Sequence, residues 1–175
     1  MSTLTTDRLV LRPFKEGDAG MMYRNWTSDE QVARYCHWSR HENLDATAWL
    51  LKMYLEEAAS GFDFRWAITE KDSDEPIGAI DVVEISDNGK TAEIGYVLSR
   101  RYWGRGYMTE AFRAVIRELH DNGITKIKAV HHIDNPGSGR VMEKCGLRFV
   151  GTGKAIEKWG SDTLCDVCLY ELVWS

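Results

Sequence analysis

The stretch that most restricts what this chain can fold into runs from Thr91 to Asn122. Thr91 to Leu98 alternates as a strand does, with Ala92, Ile94, Tyr96 and Leu98 on one face and Glu93 and Gly95 on the other. The segment Arg101-Tyr102-Trp103-Gly104-Arg105-Gly106 follows it. From about Gly106 to Asn122, Met108, Ala111, Phe112, Val115, Ile116 and Leu119 fall on a single helical stripe, closed by Asn122-Gly123. With a further strand predicted over Lys126 to Ile133, the helix is a crossover between two strands. That implies a mixed sheet with helices on its faces.

The flanking pattern agrees. Leu9 to Phe14 reads as a first strand ending near Pro13, and Gly17 to Ala59 is mostly helical, with its longest helix over Leu44 to Ala59. Strands follow over Phe64 to Lys71 and Pro76 to Ile85, then a hairpin turn at Asp87-Asn88-Gly89. A short helix is predicted over Pro136 to Cys145, with last strands over Arg148 to Gly151 and Leu164 to Trp174. The expected fold is one α/β (α+β) domain over residues 1–175, a mixed, mostly antiparallel sheet of about seven strands flanked by helices. The 175 residues suit one core.

Composition excludes several classes. A net charge of −5 does not favour direct nucleic-acid binding, so an anionic ligand must be held by a local cluster. No apolar run nears the ~20 residues of a membrane span, and the opening residues lack a signal-peptide apolar region, so the expected location is cytoplasmic. Cys165 and Cys168 form a lone C-x-x-C on a predicted strand, where residues three apart face opposite ways, and no metal is expected there. His37 and His41 lack a third ligand nearby.

The loop carries the first functional signal. A helix start leaves N–H groups unpaired with partial positive charge, glycines let backbone approach a ligand, and Arg101 and Arg105 add fixed charge. Together they suit a pyrophosphate. A dinucleotide fingerprint would need glycine where Thr109 stands, and a P-loop ending in Gly89-Lys90-Thr91 would need glycine at Glu84. A plain glycine turn before a capped helix would use the same residues, so the loop alone leaves both readings open.

The loop resembles the R-x-x-G-x-G signature of the GNAT superfamily of N-acetyltransferases, and Glu93-Ile94-Gly95-Tyr96-Val97-Leu98 resembles the strand of that family whose backbone pairs with the pantetheine arm. Asn135-Pro136-Gly137-Ser138 and Glu143-Lys144-Cys145-Gly146-Leu147 are similar to its later strand–helix junction, and Thr6-Asp7-Arg8-Leu9-Val10-Leu11-Arg12 is similar to the opening of the subgroup that acetylates N-termini of ribosomal proteins. The resemblance spans nearly the whole chain. It implies acetyl-CoA as co-substrate, with no metal, held by Tyr96, Val97, Leu98, Arg101, Trp103, Gly104, Arg105, Gly106, Tyr107, Met108, Thr109, Asn135 and Ser138. Met142 stands where many members carry a thiolate-protonating tyrosine. The subgroup resemblance implies Ser138 for that acid and Glu157 as a base.

Direct attack on a thioester needs a neutral amine. An α-amine (pKa about 7.7–8.0) is easier to deprotonate than a lysine (about 10.4) by ~3.5 kcal/mol at pH 7. A modest base therefore serves an α-amine, acting directly or through water. Glu157 and Glu93 are the two candidates. The resemblance also suggests a backbone N–H on Tyr96-Val97-Leu98 as oxyanion donor, and it puts Tyr35 and Trp38 on the acceptor side. Asn135 before Pro136 is equally a good helix cap. A protein N-terminus is the first acceptor expected. A small amine (polyamine, amino acid or antibiotic) is the alternative, and a silent acyl-CoA sensor a third reading; a homodimer is left open.

Overall fold

A computed structural model describes residues 2–61 and 64–174. The elements are β1 (Leu4–Thr5), β2 (Leu9–Arg12), α1 (Ala19–Met22), α2 (Glu30–Ala33), α3 (Leu44–Ala59), β3 (Arg65–Glu70), β4 (Pro76–Ser86), β5 (Thr91–Leu98), α4 (Tyr107–Asp121), β6 (Lys126–His132), α5 (Pro136–Lys144), β7 (Arg148–Ile156) and β8 (Leu164–Val173). The strands form one sheet in the order β1-β2-β3-β4-β5-β6-β8-β7.

Every neighbouring pair is antiparallel except β5 and β6, which run parallel. A parallel pair needs a crossover, and α4 supplies it. The eight strands exceed the expected seven because β1 contributes only two residues, too few to leave a periodic trace. β7 extends to Ile156, past the expected end at Gly151, because a register shift between Phe149 and Gly151 absorbs the glycine and pairing resumes. The β4–β5 turn falls where predicted, with Asp87, Asn88 and Gly89 all at positive φ.

The apolar stripe of α4 packs on one face of the sheet: Phe112, Val115 and Leu119 join Ile80, Ile94 and Ile127, and Met142 of α5 closes the end of that core. The other face carries the early helices, where Met22, Trp26, Val32, Leu50 and Leu51 pack on Ala67 and Ala79. A buried ion pair fixes the entry to this layer. Arg12 at the end of β2 donates two hydrogen bonds to Asp18, at 2.8 and 2.9 Å, and its side chain is 7% exposed against 2% for Asp18.

Candidate active site

β5 and β6 pair only over three positions, Thr91–Lys126, Ala92–Ile127 and Glu93–Lys128. Beyond them the strands part. β5 remains paired with β4 as far as Leu98, and β6 with β8 as far as His132, so each strand keeps one partner and turns a free edge to the gap. The gap is therefore rigidly walled, and the backbone of residues 95–98 facing it has no strand partner. One carbonyl there is taken: the Trp103 indole N–H donates to Leu98 at 2.8 Å.

The glycine-rich loop lies at the end of β5. Gly104 and Gly106 both adopt left-handed φ, 73° and 78°, a region in which other residues are strained by ~1–2 kcal/mol. That turn feeds α4, whose first helical bond runs from Glu110 N–H to the Gly106 carbonyl, leaving the N–H groups of Tyr107, Met108 and Thr109 without intrahelical partners. The Met108 and Thr109 side chains are buried, and the Tyr107 phenol donates to Glu70 at 2.9 Å, so these three residues offer the loop their backbone only. Arg101 is exposed beside a groove shared with Arg24, Asn25 and Ser28, and Arg105 lies over the Tyr102 ring. Sequence reasoning missed Arg8. It pairs with Glu110, donates to the Arg105 carbonyl at 3.0 Å and lies over the Tyr107 ring, bracing the loop from the residue before β2.

The opposite wall begins at α5. Asn135 is its cap, its side chain accepting from Ser138 N–H, with Pro136 in the first turn. The Ser138 hydroxyl lies 2.8 Å from the Tyr96 hydroxyl, and Tyr96 also donates to the Ser138 carbonyl at 3.0 Å. Burial pushes the Tyr96 phenol above its ordinary pKa, with the Ser138 bond opposing. Met142 is fully buried and belongs to the core.

On the far face of the sheet, the turn after α2 meets the β7–β8 hairpin. Tyr35, His37, His132 and Glu157 line one cavity there with Arg34. The Tyr35 and His132 rings stand 5.2 Å apart. His37 Nδ1 is 2.7 Å from the Ile156 carbonyl. Glu93 points to this same face. Burial first, then the like charge of Glu84, raises its carboxyl above the usual range, while Lys128 and His37 oppose. The structure thus gathers Tyr35, Glu157 and Glu93 on one side of the parting strands and Ser138 on the other. Trp38 lies elsewhere, packed against the second core and 5.7 Å from the His41 ring.

The cysteines and histidines set aside by sequence are dispersed. Cys168 packs on the main core, while Cys165 lines the far-face cavity. His41 bonds to Thr47 rather than joining His37. Burial lifts the Cys36 thiol to about 12, which makes it a poor nucleophile. No group of three or more metal-ligating side chains occurs among the described residues, and no helix there is long and apolar enough to cross a membrane.

The sheet split between two parallel strands, with a glycine-rich helix start at the split, lies within a region that matches an acetyltransferase domain. Residues 8–148 match the family model described as acetyltransferase (GNAT) domain, and the chain belongs to that family. It is 29% identical over 178 residues to an uncharacterized N-acetyltransferase, p20, of Bacillus licheniformis, covering 99% of this chain and 97% of that one. It is 35% identical over 98 residues to the ribosomal-protein-serine acetyltransferase of Escherichia coli, covering 55% and 54%. Its fold matches a ribosomal L7/L12 alpha-N-protein acetyltransferase solved with coenzyme A, with a TM-score of 0.83, 18% identity and 98% of each chain covered. The protein is an N-acetyltransferase of the GNAT family.

Proposed function

We propose that residues 1–175 work as one domain that moves the acetyl group of acetyl-CoA to a protein N-terminal α-amine. The cradle fits the co-substrate. Two left-handed glycines keep Cβ atoms off the start of α4, where N–H groups lack partners. Those N–H groups with Arg101 and Arg105 would hold the pyrophosphate. The free edge would take the pantetheine amides, and an N–H that faces the gap, that of Tyr96 or Leu98, the developing oxyanion. Asn135 and Ser138 would close the cleft from α5. Acetyl-CoA supplies the activated carbonyl.

The chain's own groups then have three tasks. Glu93 or Glu157, directly or through water, takes a proton from the ammonium so that a neutral amine can attack. The backbone of β5 orients the thioester. Ser138, with Tyr96 behind it, gives a proton to the departing thiolate, and the extra proton that the attacking nitrogen sheds on becoming an amide returns through water to restore the pair.

The observation that carries the acceptor reading is the charge at the far-face cavity. Arg34 and Glu157 are its fixed charges, beside Tyr35, His37 and His132. One carboxylate matched by one guanidinium gives the several ammonium groups of a polyamine no acidic row to bind, whereas a peptide brings one amine and a polar backbone. The similarity to the ribosomal-protein-serine acetyltransferase supports the same reading. Initial rates with acetyl-CoA should be compared for short peptides with free N-terminal serine or alanine, the same peptides N-blocked, spermidine and free amino acids. Turnover confined to free peptide α-amines is expected. Turnover of spermidine or an amino acid without peptide activity would move the assignment to the small-amine alternative.

A further inference from the structure

Lys158, next to Glu157 on the β7–β8 hairpin, reaches across to the turn that follows α2. Its ammonium donates to the carbonyls of Ala33 and Cys36, both at 2.7 Å, and lies 3.3 Å from those of Arg34 and Trp38. Ala33 ends α2. A helix end leaves carbonyls without partners and carries partial negative charge, and here one cation serves several of them at once. Two further bonds join the same pieces: Trp159 N–H donates to the His37 carbonyl at 2.7 Å, and His37 Nδ1 faces the Ile156 carbonyl. The turn so held carries Arg34, Tyr35 and His37, which form one wall of the far-face cavity. Glu157 on the hairpin forms part of the other wall.

We infer that Lys158 is the positioning residue of the acceptor site: its ammonium clamps the 33–38 turn to the hairpin and so sets the width of the mouth through which the amine reaches the thioester. The inference rests on the acceptor position proposed above. Lys158 touches neither the glycine-rich loop nor α5. Its effect therefore belongs to the acceptor and not to acetyl-CoA.

The test uses the full chain with Lys158→Met, which keeps the aliphatic stem, and Lys158→Arg, which keeps the charge. Two readouts are taken: backbone hydrogen–deuterium exchange, and steady-state kinetics with a peptide bearing a free N-terminal serine. In Lys158→Met, exchange over residues 33–38 should accelerate about tenfold or more while residues 107–121 stay as in wild type. KM for the peptide should rise about tenfold with KM for acetyl-CoA unchanged, and Lys158→Arg should recover part of both effects. Unchanged exchange in the 33–38 turn overturns the clamp. Faster exchange with both KM values and kcat unaltered overturns the positioning role. A general rise in exchange across α4 would mean that Lys158 supports the whole fold, which also overturns it. Wild-type protein that binds acetyl-CoA but turns over no peptide would count against the proposed acceptor, while the exchange data still decide the clamp.

Discussion

The Tyr96 phenol oxygen lies 2.8 Å from the Ser138 hydroxyl, tying β5 to the first turn of α5 across the gap between the parting strands. Tyrosine has one proton to donate. With that proton on the Ser138 carbonyl, 3.0 Å away, the serine hydroxyl donates to the phenol oxygen. Under the role proposed for Ser138 the order would reverse as a thiolate forms: serine would donate to sulfur and tyrosine to serine. Burial keeps the phenol protonated well above neutral pH. Met142, where the family resemblance implies a tyrosine, is buried and brings no hydroxyl, whereas the Tyr96 hydroxyl reaches Ser138 from a different element.

The relay predicts a shared loss. Ser138→Ala and Tyr96→Phe should each lower kcat by about 10- to 100-fold, within or just below the range of a general acid, with KM for acetyl-CoA nearly unchanged. The double variant should be little worse than the worse single, because the two hydroxyls act as one unit. Single-turnover kinetics on the three variants checks this. Independent, multiplicative losses would show that Tyr96 acts separately from Ser138, and wild-type rates in both singles would leave the pair structural.

Gly106→Glu tests the loop. A Cβ at Gly106 has room, since its nearest neighbour would be the Arg8 guanidinium at 3.6 Å. The left-handed φ costs ~1–2 kcal/mol, which a folded domain survives. The added carboxylate would stand where a pyrophosphate is proposed to sit. Affinity for acetyl-CoA should fall at least ~100-fold, or ~2.7 kcal/mol, with an unchanged circular dichroism spectrum. Titration calorimetry that returned the wild-type Kd would falsify the loop assignment.

The strand, loop and helix from Thr91 to Asn122 were legible because local periodicity and glycine chemistry act within a few residues. So were the cap at Asn135 and the turn at Asp87-Asn88-Gly89. The parting of β5 from β6 was not, because where pairing stops depends on which neighbour each strand keeps. Tyr96 counted as one member of an apolar row; its hydroxyl mattered only once α5 was seen to cover it. Arg8 and Lys158 act over gaps that periodicity cannot register, and the Arg12–Asp18 pair, though only six residues apart, owes its weight to a burial that the sequence does not show. Trp38 sits beside Tyr35 and His37 in sequence, yet the turn after α2 directs it into packing.

The Arg12–Asp18 pair should be costly to break on one side. Lys15 N–H also donates to Asp18 at 2.8 Å, so this carboxylate joins the end of β2 to the turn before α1. Asp18→Leu leaves a buried guanidinium whose remaining carboxylate partner, Asp74, is exposed, and stability should fall by ~3–5 kcal/mol. Adding Arg12→Met should recover part of that loss, because no buried charge then remains unpaired. Urea unfolding of wild type, D18L and R12M/D18L measures both steps; a double variant no more stable than the single would refute the charge argument.

Which carboxylate is the base can be read through a residue that is not part of the machinery. Glu93 has a raised pKa, first from burial and then from Glu84, which is exposed on β4. The folded state therefore holds the Glu93 proton more tightly than the unfolded state does. Its contribution to stability is present below the unfolded value, about 4.3, and is lost as pH rises through the folded value. Glu93→Gln should accordingly raise Tm at pH 7 and change it little below about pH 4. For the reaction, log kcat/KM for a peptide amine should fall with unit slope below the amine pKa and steepen where the base also takes a proton. If Glu93 is that base, Glu84→Gln removes a like charge, lowers the Glu93 pKa and moves the steepening to lower pH, while the plateau is kept. Glu93→Gln should abolish the steepening altogether and lower the plateau by about 10²–10³-fold. A steepening that ignores Glu84→Gln and disappears only in Glu157→Gln assigns the proton to Glu157, and Glu93 then serves only to shape the far face.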